Sequence, residues 1–329
     1  MAPGARPSLR PRALRLVQGA AVLLALMFGL EAALEGLGWI DAQVREWLPA
    51  GGFLADCVSL YLHIVVLALV LMVLEWWRPG SGAPRRYGAA ALFWTMYVPV
   101  AVISADVADV AARALQLQPL LDVHARDFAV DGAVELLLHA ALILAGAACF
   151  DFFYYWFHRL QHAVPLLWAF HSTHHANRSL NALGCYHHPL EDLWRIPLFT
   201  LPMAMAFEIV APELFLLSAF VVGWGLFNHA DTSFHLGRPL RHVLADNHYH
   251  RIHHALASEY HGANFAGMFS LWDRLFGTQR MPEAGAAALP VGLDDQPHPE
   301  TVGQFLLGPW QVLAPPHGEA QLASRRSRD

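Results

Sequence analysis

Three short stretches carry the residues able to do chemistry: FHRLQH at 157–162, HSTHH at 171–175 and DNHYHRIHH at 246–254. Of the chain's 20 histidines, 15 fall between His158 and His261. His158 and His162 are four apart, so on a helix they share one face, one turn apart. His171, His174 and His175 sit at i, i+3 and i+4, and His250, His253 and His254 repeat that spacing. Three one-faced sets on short helices can converge on a common point. Imidazole is a neutral nitrogen ligand suited to iron, copper, zinc and nickel, and less so to magnesium or calcium. These eight histidines exceed what one tetrahedral ion uses. Two octahedral ions sharing a pocket would use about that number and leave positions open for a small reactant.

A lone HxxxH is weak evidence, because surface helices show it often. HxxHH twice, beside HxxxH, within one hundred residues is far more specific. A zinc protease would carry HExxH, which does not occur. A bis-histidine haem protein would place one histidine in each of two spans, and a metal-storage tract would be of low complexity. The three cysteines, Cys57, Cys149 and Cys185, form no CxxC and give no thiolate site or disulfide framework. The net charge of −6 comes without a basic stripe, so nucleic acid is not an expected partner.

The elements that must position these histidines are apolar. The chain of 329 residues is 56% hydrophobic and only 15% charged, against about 25% in a soluble domain. Apolar stretches near the roughly 20 residues a spanning helix needs occur at 16–40, 53–77, 87–111 and 132–157. The first holds Glu31 and Glu35 and is longer than a signal-peptide core, so it reads as retained. The region 193–227 contains Pro197, Pro202 and Pro212 and reads as two short helices forming a hairpin that enters the membrane and returns. Arg6, Arg10, Arg12 and Arg15, then Arg78, Arg85 and Arg86, then Arg159 and Arg178 fall on one side if four spans cross and the hairpin does not. That side is expected to be cytoplasmic and to hold the N-terminus and every histidine cluster. The fold expected is therefore all-α: an integral membrane, multi-pass helical bundle of about four transmembrane helices plus a re-entrant hairpin, under a cytoplasmic histidine-rich helical cap. The segment from Gly277 on, rich in Ala, Pro and Gly, reads as a loosely ordered tail. His63, His124, His139, His298 and His317 read as structural or incidental, and Asp106, Asp109 and Glu135 as helix-end acids.

The boxes HRLQH, HSTHH and HRIHH resemble those of the fatty acid hydroxylase superfamily, which includes sterol desaturases, sterol methyl oxidases, lipid hydroxylases and alkylglycerol monooxygenase. DFFYYWFHRLQH (151–162), LLWAFHSTHH (166–175), HHPLED (187–192) and SLWDRLFGT (270–278) are similar to signature stretches of that family. The resemblance covers about 87–279, which divides the chain into N-terminal helices 1–86, a histidine-box domain 87–279 and the tail 280–329. Eight residues separate the first two boxes, a short spacing that sets the chain apart from the related acyl-CoA desaturases.

The resemblance implies a membrane enzyme with a non-haem di-iron centre. It implies metal-ligand roles for His158, His162, His171, His174, His175, His250, His253 and His254. Two further ligands are expected between the second and third boxes: His188 and His229, with His187 and His235 as fallbacks. His248 would point away from His250 and read as supporting. Asp151, Glu191, Asp273 and Asn264 are candidates to brace a ligand imidazole from behind. The activity implied is O2-dependent oxidation of an unactivated C–H bond of a fatty acyl, alkyl or sterol-like lipid, giving a hydroxylase. Desaturation at the same centre is an alternative, and a catalytically silent metalloprotein is an alternative of another class. Zinc is a possible substitute occupant, because it binds nitrogen sites more tightly than ferrous iron. The chain lacks a Rossmann glycine fingerprint, an iron–sulfur cysteine pattern and the His-Pro-Gly-Gly stretch of a fused cytochrome, so an external ferredoxin or b-type cytochrome with its reductase is implied as electron donor.

Overall fold

The computed structural model describes residues 52–122, 133–208 and 213–314, with scattered helical positions between 36 and 46. The chain divides into two units, Met1–Ala55 and Asp56–Asp329. The expected first span at 16–40, together with His124, His317 and residues 315–329, lies outside the described residues apart from isolated positions.

Among the described residues, three helices are long and apolar enough to cross a membrane. They are α1 (Phe53–Trp77), α2 (Tyr87–Ala114) and the Ala140–Ala163 portion of α3 (Ala133–Ala163). The 53–77 and 87–111 readings hold, the latter extended by one turn. α1 is apolar all round, the pattern of a helix that meets lipid or protein on every side. At its end Trp76 and Trp77 are exposed, the place where indole rings favour a membrane interface.

α3 stops at Ala163 because Pro165 cannot continue it, and the residue before a proline is pushed out of the helical region. Val164 accordingly sits at φ −104°, ψ 116°, and Pro165 opens α4 (Pro165–His175). This one-residue corner folds the second histidine box back onto the first. The chain then runs through a buried loop to α5 (Asp192–Arg195), a π-helical turn at Ile196–Thr200 and α6 (Leu201–Ala206). Pro197 and Pro202 do not break this arm; the wider π turn absorbs the missing donors. A two-residue parallel pairing joins β1 (Leu121–Asp122) to β2 (Phe207–Glu208), and α7 (Glu213–His229) forms the second arm. The short helices α8 (Arg238–Arg241), α9 (Asn247–His253) and α10 (Leu271–Leu275) complete the cap.

The reading of the segment after Gly277 as loosely ordered is corrected by α11 (Val302–Leu313). Thr301 and Gln304 form a capping box at its start. Phe305 is fully buried and stacks on Phe93 of α2 with ring centres 4.2 Å apart. Gly308 comes so close to α4 that a Cβ there would meet Thr173 Cγ2 at 3.0 Å. The Ala/Pro/Gly-rich composition masked an amphipathic stretch, VGQFLLGPWQVL.

Candidate metal centre

Nine histidines converge in two adjacent groups. In the first, one nitrogen from each of His158, His162, His171, His175 and His253 lies within 4.8 Å of the others. In the second, His174, His229, His250 and His254 do the same. Every member is buried except His162, which is partly exposed beside Trp168 at 4.9 Å between ring centres.

The division follows from helix geometry. Residues i and i+4 lie nearly above one another, whereas i+3 and i+4 are about 100° apart round the helix. His171 and His175 therefore serve the first group while His174 turns to the second. On α9 and its C-cap the roles are exchanged: His250 and His254 serve the second group and His253 the first. His175 and His254 stack at 4.3 Å where the groups meet.

The ring nitrogens facing outward fix those facing inward. His158 Nδ1 donates to Phe265 O at 2.7 Å and His253 Nδ1 to Ala263 O at 2.8 Å. His174 Nδ1 donates to Tyr186 O at 2.9 Å and His229 Nδ1 to Gly225 O at 2.8 Å. A carbonyl only accepts, so in each ring the proton is on Nδ1 and the Nε2 lone pair points inward. In the first group all five Nε2 atoms are buried without a hydrogen-bond partner. In the second, His174 Nε2 lies 3.1 Å from His229 Nε2, and His229 Nε2 lies 3.2 Å from His250 Nε2. His174 and His229 both carry their proton on Nδ1, so their two Nε2 lone pairs repel at that distance. Protonation would relieve them, but burial and the neighbouring imidazoles hold His174 and His250 well below the ordinary value, and burial holds His229 at about 4. A cation among these nitrogens satisfies every one of them, so the donor set fits a metal pair.

Of the ten histidines expected as ligands, nine are brought together, His229 included. His188 is the exception and is corrected here. Its Nδ1 accepts from Leu190 N at 3.1 Å, capping a 3-10 turn, and its Nε2 faces Leu306 O at 3.4 Å. The fallback His187 is the neighbour that faces the centre: it is buried, its ring lies 4.3 Å from His174, and its Nε2 has no partner. Adjacent residues on an extended segment point in opposite directions, which is why only one of the two can face inward. His235 is exposed, and His248 turns away from His250 to Thr232 O at 3.1 Å.

Only Glu191, of the four bracing candidates, touches a histidine of the groups. Its Oε2 takes Gln161 Nε2 at 2.6 Å and lies 3.3 Å from His171 Nδ1. Burial pushes its carboxyl up to about 7 against the pull of Arg195 and Gln161. Asp151 instead accepts three backbone N–H groups, from Gly267, Met268 and Phe269, at 2.6–3.0 Å. Asp273 accepts Phe265 N at 2.7 Å and Ala266 N at 3.0 Å. Asn264, at φ 58°, bonds Tyr249 O and Arg280 on both sides. These three hold the 263–269 loop, and its carbonyls then orient His158 and His253. Sequence spacing shows side chains but not the carbonyl between them, so this relay was not legible.

The family model described as fatty acid hydroxylase matches residues 143–278, the segment that carries both histidine groups. Over that segment the chain is similar to the fatty acid hydroxylase family. The alkylglycerol monooxygenase of Xenopus tropicalis is 33% identical over 129 residues, which is 39% of this chain and 28% of that protein. Ornithine lipid hydroxylase OlsE of Rhizobium tropici is 27% identical over 52% of this chain and 50% of its own length. Human cholesterol 25-hydroxylase is 29% identical over 45% of this chain and 54% of its own. The chain thus spans about half or less of the length of these superfamily relatives. No solved structure matches it.

Proposed function

We propose that the chain is a membrane-bound, O2-dependent lipid hydroxylase with two iron ions held by histidine. The observation that carries this reading is the first group, whose five buried Nε2 atoms have no protein partner, beside a second group whose Nε2 atoms crowd one another. His158, His162, His171, His175 and His253 would hold one ion. His174, His229, His250 and His254 would hold the other, with His187 as a further donor to the second. Such a pair supplies O2 activation and oxidation of a C–H bond when loaded and reduced.

The protein's own residues do the rest. Carbonyl oxygens of Phe265, Ala263, Tyr186 and Gly225 and the Glu191 carboxylate keep Nδ1 protonated on His158, His253, His174, His229 and His171. Phe265 closes over His158, His162 and His253 at 5.2–5.8 Å between ring centres and keeps water out. The partly exposed His162, beside Trp168, marks the side from which a reactant approaches. The relatives are named for alkylglycerol, ornithine lipid and cholesterol, which supports a lipid substrate. Electrons would come from a separate ferredoxin or b-type cytochrome, and the histidine cap would face the cytoplasm, as the arginine distribution favours.

The test is to purify the protein anaerobically, load it with ferrous iron, add reductant and host lipid, and follow O2 uptake with lipid mass spectrometry. About two irons per chain and a product heavier by one oxygen atom are expected. Loss of two hydrogens would make it a desaturase, and bound metal without O2 uptake would overturn the enzyme reading.

A further inference from the structure

Glu75 stands outside the family-matched segment, in the last turn of the apolar helix α1, yet its side chain is fully buried. A carboxylate at that depth in an apolar helix calls for a reason. Its Oε1 accepts Ala182 N at 2.8 Å and Asp231 N at 2.6 Å, and its Oε2 accepts the Tyr87 hydroxyl. Ala182 lies on the buried loop that leads to Tyr186, whose carbonyl orients His174, and to His187. Asp231 lies two residues past His229, the last residue of α7. One oxygen therefore ties together the two segments that present His174 and His229 to each other.

Asp231 extends the tie. Its carboxylate accepts Ser81 N at 2.8 Å and Ser81 Oγ at 3.0 Å, and it pairs with Arg251, the neighbour of His250, at 3.4 Å. Arg85 donates to the carbonyls of both Glu75 and Asp231. The chain at Gly80 passes so close that a Cβ there would meet Asp231 Oδ1 at 2.7 Å, so the 79–81 turn is fitted to this carboxylate. These bonds converge on Asp231, two residues past His229, and on Arg251, next to His250, both of the second histidine group; the first group is braced elsewhere, by Glu191, Asp151 and Asp273.

We propose that Glu75 is a positioning residue for the second histidine group alone: by accepting the N–H groups of Ala182 and Asp231, the transmembrane helix α1 sets the geometry in which that group binds its ion. The assignment rests on the two-ion reading above. Loss of Glu75 should loosen one ion and leave the other.

The experiment measures iron per chain, the Mössbauer spectrum of the bound ferrous iron and the rate of its release to a chelator, in the full chain in detergent. Wild type holding about two irons is the control for the two-ion reading; wild type holding none would overturn that reading before Glu75 is in question. In Glu75→Ala, half of the iron should leave at least about tenfold faster, with one spectral component altered and the other unchanged, the size expected when a supporting partner is lost. Glu75→Gln keeps an acceptor oxygen for both N–H groups and should restore the wild-type rate and spectrum. Glu75→Asp, which keeps the charge but draws the oxygen back from both N–H groups, should speed release of the same half and decides the matter if Glu75→Ala does not insert. A folded Glu75→Ala with two irons and the wild-type release rate and spectrum, or Glu75→Asp releasing both irons equally, would overturn the proposal.

Discussion

His174 and His229 meet through Nε2 atoms 3.1 Å apart while both Nδ1 atoms are committed to carbonyl oxygens. Without a cation the contact is repulsive; with one it becomes a pair of coordination bonds. Metal should therefore stabilise the fold strongly. At free iron one hundred times the dissociation constant, each site contributes about 2.7 kcal/mol, or roughly 5–10 °C in the unfolding midpoint. His174→Ala removes a donor from the second group only, so iron should still raise the midpoint, by about half the wild-type amount. Thermal unfolding with and without iron, on wild type and variant, checks this. An undiminished rise in the variant would mean that the second group holds no ion.

His187 and His188 differ in what they touch, and their variants should separate. His188→Asn keeps a side chain able to cap the turn at Pro189–Glu191 and should cost under about 1 kcal/mol with no change in iron content. His187→Ala removes an unpartnered Nε2 beside His174 and should lower iron retention about tenfold after dialysis against a weak chelator. Elemental analysis of the two purified variants gives the answer; iron loss from His188→Asn and not from His187→Ala would reverse the assignment.

The histidine boxes were legible because i, i+3 and i+4 spacing on a helix is a direct consequence of its 3.6-residue turn. That spacing showed that the sets converge, but not that each HxxHH box splits between two groups, which depends on how α4 and α9 face each other. His187 and His188 could not be told apart, because the capping role of His188 is set by the turn at Pro189 and by α11, an element hidden in an Ala/Pro/Gly-rich stretch. Glu75 carried a usable signal, a carboxylate in the last turn of an apolar span followed by Arg-Pro-Gly. Its partners are backbone N–H groups, which no side-chain pattern reveals. The proline-rich 193–227 region was readable as two arms, since Pro197 falls in the π turn and Pro202 at the start of α6.

Asp151 should prove a stability residue whose loss also reaches the metal. Asp151→Ala leaves three buried N–H groups, of Gly267, Met268 and Phe269, without their acceptor. At about 1–3 kcal/mol for each unsatisfied group, the loss is several kcal/mol even after partial relaxation. The 263–269 loop then shifts, and with it the Phe265 carbonyl that orients His158. Asp151→Asn retains an acceptor oxygen and should lose less than half as much. Unfolding midpoints and protease cleavage within 263–269 measure the effect; an Asp151→Ala protein as stable as wild type would show that Asp273 and Asn264 suffice to hold the loop.

Among the described residues Glu191 is the one carboxylate that reaches a histidine of the groups directly, and its variants should act on the first group. Its Oε2 serves both Gln161 and His171. The negative charge behind His171 raises the basicity of the Nε2 that faces the ion. Glu191→Gln can keep an oxygen in that place, so the tautomer survives while the charge is lost, and iron affinity of the first group should fall about tenfold. Glu191→Ala removes the acceptor as well, strands Gln161 and frees the His171 ring to rotate, for a loss nearer a hundredfold. The two variants should leave the second group's spectral component in place, the reverse of the pattern expected for Glu75→Ala. Iron titration followed by Mössbauer spectroscopy distinguishes them. If Glu191→Ala disturbed both components equally, the two groups would be coupled through His171 and His174 more tightly than their separate bracing implies.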